Sequence, residues 1–155
     1  MGSEIVVPVS DSSPLQWTTI PSIPIIHWMA VDEGTVLGGS TPSDDDALET
    51  QTPGNAEQLA LGNLSAAATG GVITRIDVNW RGWVDDDDGE TDSYIELRLY
   101  HSGGTPVTGN PKTINSTDLG GQRVIAEVTK SWTGLTLTKT QADSLEIKMT
   151  LVDPS

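Results

Sequence analysis

The chain contains no cysteine and no phenylalanine, only eight basic residues, and no apolar run long enough to cross a bilayer. Each shortage excludes a class of chemistry. Without cysteine there are no disulfides, no thiolate metal centres and no cysteine nucleophile, and the redox compartment stays open. Lys and Arg number 8 against 22 Asp and Glu, a formal net charge of −14 over 155 residues, so a phosphate backbone is repelled over most of the surface. No nucleic acid is therefore expected as a partner. A spanning helix needs about 18 or more consecutive apolar residues, and the opening MGSEIVVPVS lacks the basic-then-apolar order of a standard export signal. No membrane partner is expected either. The carboxylate excess fits a halophilic or marine source, where salt screens self-repulsion, and equally an ordinary acidic protein kept soluble by its charge.

What is present divides at about residue 55. Residues 1–55 read as an extended, proline-rich arm and acidic loop: Pro8, Pro14, Pro21, Pro24, Pro42 and Pro53 forbid a helix by removing donors and biasing the preceding residues to extended conformations. Yet the arm carries Trp17, Ile20, Ile23, Ile25, Ile26, Trp28 and Met29, so it has to be buried somewhere. Either it packs over its own domain as edge strands or it lies along a neighbouring subunit. Its end, Ser40 to Gly54 with Asp44-Asp45-Asp46, reads as an exposed loop or hinge.

Residues 56–155 read as an antiparallel β-sandwich, with a jelly roll as one form of it. Gln58 to Leu64 alternates as a strand, with helix as a competitor. Val72 to Val84 sets Val72, Ile76, Val78, Trp80 and Val84 on one face against Arg75, Asp77, Asn79 and Arg81. Tyr94 to His101 turns Ile95, Leu97 and Leu99 inward, and its proximity to the preceding strand predicts a hairpin around residues 85–92. Gln122 to Lys130 alternates again, with Val124, Ala126 and Val128 inward. Thr138 to Asp143 reads as a turn or one helical turn, and Leu145, Ile147, Met149 and Leu151 line the inner face of a last strand.

Sites for chemistry are few. Asp85 to Asp88, Gly89, Glu90 and Asp92 supply hard oxygen ligands of the kind Ca²⁺ takes. An EF-hand is excluded, because aligning Gly89 with the loop glycine puts Val84 and Ile95 where carboxylates are required. A looser site through Asp86, Asp88 and Asp92 competes with a solvated acidic turn. His27 and His101 lie in separate regions, and no nucleophile elbow, His-Glu-x-x-His pair or phosphate-binding loop occurs, so no enzyme is expected. Trp80 has inward parity, while Trp83 has the opposite parity beside the acidic turn, as a ligand platform or an interface anchor would.

An ordered series of short motifs carries a resemblance. Asp44-Asp45-Asp46 leads in, followed by Leu61-Gly62-Asn63, Ile73-Thr74-Arg75-Ile76-Asp77-Val78, the acidic turn and Glu96-Leu97-Arg98-Leu99. Leu135-Thr136 to Gln141-Ala142-Asp143-Ser144-Leu145-Glu146-Ile147 closes the series. In this order the carboxy-terminal hundred residues resemble small β-sandwich virion proteins of tailed viruses, jelly-roll-like proteins that decorate capsids or occur in tails. The resemblance implies a non-enzymatic structural protein on the virion's capsid surface, with the major capsid protein and sister subunits as partners and a homo-oligomer, a trimer being one option. Trp17, Ile25 and Trp28 of the arm would form the capsid or subunit contact. Two alternatives stand beside it: a tail or baseplate component, and a carbohydrate-binding sandwich using Trp83 with the acidic turn and Ca²⁺.

Overall fold

The structure, a computed structural model, describes residues 4, 6, 8–20, 47–65, 71–82, 93–115, 117–118 and 126–154. Along these run β1 (Pro8–Leu15), β2 (Thr18–Ile20), β3 (Ala47–Glu49), β4 (Ala56–Leu61), β5 (Val72–Gly82), β6 (Tyr94–His101), β7 (Thr105–Pro106), β8 (Lys112–Asn115), β9 (Ala126–Thr138), α1 (Lys139–Ala142) and β10 (Glu146–Val152). All strand pairings are antiparallel, and the fold is all-β and sandwich-like. These strands do not by themselves complete the two Greek keys of a jelly roll.

Alternation in β6 and β10 builds the main sheet. Because successive side chains of a strand point to opposite faces, Ile95, Leu97, Leu99 and His101 of β6 are buried while Tyr94, Glu96, Arg98 and Tyr100 face outward. The register then stacks like on like, with Ile147 opposite Leu99, Met149 opposite Leu97 and Leu151 opposite Ile95. On its other side β10 pairs with β4, and β1 forms the edge beyond β4. Gln58 to Leu64 is thus mainly strand rather than helix.

The second layer is the ribbon of β5 and β9. Its inward residues Ile73, Ile76, Val78, Trp80 and Val128 pack with Trp132, Leu135 and Leu137 onto the core of the main sheet. Two sequence expectations fail here. Val72 is 60% exposed, and Ile73 takes the inward position, because a register shift between Ile73 and Arg75 reverses the parity of the strand's first residues. The predicted hairpin of β5 with β6 does not form: β5 pairs with β9 and β6 with β10, so the connection crosses between layers instead of folding back within one. Parity alone cannot distinguish these outcomes, since both bury the same faces.

After the ribbon the chain makes a single helical turn. Thr138 caps α1 through a reciprocal pair, its hydroxyl accepting from the Gln141 N–H at 3.3 Å and the Gln141 Oε1 accepting from the Thr138 N–H at 2.9 Å. Asp143 then anchors the turn to the strand layer, accepting from the Leu64 N–H at 2.9 Å and from Lys139 Nζ at 2.6 Å.

A buried carboxylate and a half-buried amide tie segments together. Glu57, fully buried, accepts the backbone N–H groups of Gln16 and Trp17 at 3.1 and 3.2 Å. Asn110 behaves as a one-residue strand: its amide donates to the Leu99 carbonyl at 2.6 Å, while its oxygen accepts from the Leu99 N–H at 3.0 Å and the Trp132 indole at 2.9 Å. Lys112 lies 5.8 Å from the centre of the Trp132 ring, within cation–π range.

Candidate functional site

The solvent face of the β5–β9 ribbon carries the densest organised polar surface. Register sets Arg75 opposite Thr133, Asp77 opposite Ser131, Asn79 opposite Thr129 and Arg81 opposite Glu127. Within these rungs Ser131 donates to Asp77 at 2.6 Å and Thr129 to Asn79 at 2.7 Å, and Arg75 Nε reaches both Asp77 oxygens at 2.8 and 2.9 Å. Arg75 Nη2 adds a bond to Ser131 at 3.2 Å. The Arg75 guanidinium, followed by the Ser131 hydroxyl, holds the Asp77 carboxyl below the usual carboxylate range. Asp77 is therefore an ionised acceptor at neutral pH, unsuited to the general-acid role that requires a raised pKa. Such a ladder of guanidinium, carboxylate, amide and hydroxyl groups suits recognition by hydrogen bonding.

Concavity is slight. A shallow recess lined by Asn79, Trp80, Arg81 and Glu127 has a volume of about 20 Å³, room for one water rather than for a sugar ring or a cofactor. Trp80 lies along the ribbon's inward side over Gly82, where an added Cβ would come within 2.6 Å of the indole ring. The outer face of the main sheet is likewise knit internally. Glu146 accepts from Ser12 at 2.8 Å and Gln58 at 3.0 Å, and Arg98 donates to Glu96 at 2.6 Å.

The residues expected to carry function are dispersed. Trp17 is 7% exposed, belongs to the core of its own sandwich and donates its indole N–H to the Asn55 carbonyl at 3.2 Å. Its side chain thus packs within its own sandwich. Ile25, Trp28, Trp83, Asp86, Asp88 and Asp92 lie outside the described residues, as does His27. His101 ends β6, buried, with Nδ1 3.1 Å from the Ser102 hydroxyl. Among the described residues no three metal-ligating side chains converge, and no helix is long and apolar enough to cross a membrane.

Sequence reasoning had Arg75, Asp77, Asn79 and Arg81 on a common polar face, but it missed their partners Glu127, Thr129, Ser131 and Thr133. The alternation of those four residues is a usable signal, hidden because the strand expected from the sequence stops at Lys130 whereas β9 runs on to Thr138. Comparison with known protein families, curated proteins and solved structures returns no match.

Proposed function

We propose that this chain is a structural protein of a tailed virus, a decoration protein seated on the outer surface of the capsid shell. The observation that supports it most is the way the fold holds the segment 21–46. β2 and β3 pair with Ile20 opposite Ala47, so the segment leaves and re-enters the sandwich at one point, immediately after the anchored Trp17. A run containing Ile23, Ile25, Ile26, Trp28 and Met29, tethered at both ends to an acidic sandwich, suits attachment to a large partner. In this reading Ile25 and Trp28 make the contact with the shell or a sister subunit, each Å² of apolar area contributing roughly 25 cal/mol. The resemblance of the motif series to virion β-sandwiches points the same way. The acidic surface keeps the free protein soluble and away from nucleic acid.

The test uses particles from the source culture. Antibody-gold labelling should decorate heads uniformly; label confined to tails would move the protein to the tail, and no label with an accessible epitope would reject the virion assignment. Because Ile20 and Ala47 are paired, residues 21–46 can be replaced by a two-residue Asn-Gly turn without cutting the sheet. That variant should stay folded and lose particle binding, and unchanged binding would reject the role given to this segment.

The polar ladder of the ribbon favours a second reading, a carbohydrate-binding module with Trp83 as its platform. Glycan-array binding that disappears in Trp83→Ala while the fold persists would establish it.

A further inference from the structure

We infer that the edge of β5 left unpaired among the described residues is a self-association surface, through which two copies of this chain join their ribbons into one continuous four-stranded sheet. The inference is independent of where the protein acts. Its starting point is a contrast between edges. The main sheet blunts its own: β1 carries Pro8 and Pro14 and two register shifts, β7 is two residues long and ends in Pro106, and the four-residue β8 follows Pro111. Prolines, irregularities and short strands are the devices by which proteins prevent edge pairing. β5 has none of them along Ile76–Gly82, where its register to β9 is unbroken, and among the described residues no strand pairs with its far edge. It offers a regular row of backbone donors and acceptors.

The side chains of that stretch are self-complementary. Antiparallel pairing of two β5 strands about a two-fold axis at Asn79 sets Asp77 opposite Arg81 of the second copy, and Arg81 opposite its Asp77. On the inward face the same register sets Val78 against Trp80 of the second copy, and Ile76 against Gly82, over which the Trp80 ring lies as an apolar surface. Both charges and both apolar residues are matched twice, as an isologous contact requires. Shifting the axis to Asp77 would oppose two carboxylates and shifting it to Val78 would oppose Arg75 and Arg81, so charge disfavours both; an axis at Ile76 would match Arg75 with Asp77 but would run through the register shift between Ile73 and Arg75. β9 is the poorer edge, since its register breaks between Thr133 and Leu137 at Gly134, whose φ is +70°. For a chain of net charge −14, association also needs a face where cations meet carboxylates, and β5 carries two of the eight basic residues.

The test exploits the absence of cysteine. In the full-length chain, Asn79→Cys places two thiols on the axis with Cα atoms about 5 Å apart, within disulfide range. Mild oxidation should give a cross-linked dimer, while Asp77→Cys and Arg81→Cys should cross-link poorly alone and efficiently when mixed. Light scattering of the unmodified chain should give twice the chain mass. Arg81→Glu should weaken the dimer by about tenfold or more, and adding Asp77→Arg should restore it, since the pairs are then exchanged. Cross-linking of Asn79→Cys no faster than that of a surface control at Thr113→Cys would overturn the inference. So would a monomer at the highest soluble concentration, or a double variant that fails to recover while its melting curve shows it folded.

Discussion

Replacing Asn110 with alanine tests whether its side chain works as a surrogate strand. The substitution removes three hydrogen bonds, those to the Leu99 N–H, the Leu99 carbonyl and the Trp132 indole. Of the three groups, the carbonyl loses least, because it still accepts the Val107 N–H at 2.9 Å. The other two belong to residues whose relative exposure is 0%, but Asn110 itself is half-exposed, so its truncation lets water reach part of the site and places the cost towards the low end of the range for buried donors. An orphaned buried donor costs about 1–3 kcal/mol, and two give roughly 2–6 kcal/mol. Against a total stability of about 5–15 kcal/mol this is a large fraction. The melting temperature should fall by roughly 4–24 °C, at about 2–4 °C per kcal/mol for a domain of this size. Urea denaturation followed by tryptophan fluorescence measures the loss directly, and an unchanged slope would confirm that the native state is otherwise intact. A loss below about 0.5 kcal/mol would refute the reasoning, since only an ordinary surface substitution behaves so. Asn110→Asp refines the test by exchanging the amide donor for an oxygen facing the Leu99 carbonyl. Only the protonated acid can donate there, so its folded pKa is expected above the unfolded one. Its stability is then present at acid pH and lost as pH rises through the folded pKa.

Leu97→Ala, in the centre of β6 with no exposed surface, should cost about 2–5 kcal/mol by urea denaturation. Gly134→Ala forces a side chain into the left-handed region at φ +70° and should cost about 1–2 kcal/mol, with far-UV dichroism unchanged. Gly82→Ala drives a methyl group into the Trp80 ring and should displace it, read as a shift in tryptophan emission. Carboxyl NMR titration should find Asp77, Asp118 and Asp143 ionising below the ordinary aspartate range. For Asp118, burial pushes upward but the Lys130 ammonium and the Asn115 N–H outweigh it; for Asp143 the Lys139 ammonium leads. Depressed folded values mean that these groups stabilise above the unfolded pKa, and that the contribution is lost as pH falls through the folded values.

The parts of the fold legible in the sequence were those written in period two. β6 and β10 could be read residue by residue because both have one buried and one solvated face, and the polar face of β5 followed from the same alternation. What escaped reading depends on residues far apart in the chain. Trp17 looked like an arm residue seeking a partner because its partner, Glu57, is 40 positions away and the bond is to backbone. Glu57 itself gave a faint signal: it shares parity with Leu59 and Leu61, so a strand begun one residue earlier would have set a carboxylate on an apolar face. Asn110 read as a turn residue between Gly109 and Pro111, and nothing local says that its amide closes a strand. The crossover of the β5–β6 connection was invisible for a different reason: strand adjacency in sequence is only a tendency, and the long β9 outcompetes the neighbour.

The place of β10 in the main sheet bears on how the protein is made. β10 lies between β4 and β6, yet follows every other described strand in chain order. During synthesis β4 and β6 therefore wait with open flanks until residues 146–152 clear the ribosome, and Leu59 and Leu97 lack their in-sheet neighbours Ile147 and Met149 until then. Sheets closed by such distant segments fold slowly, and the waiting strands are open to pairing with other nascent chains. A stop codon or frameshift just before Glu146 should thus yield insoluble fragments rather than a weakened protein, although β10 is the one described strand it removes.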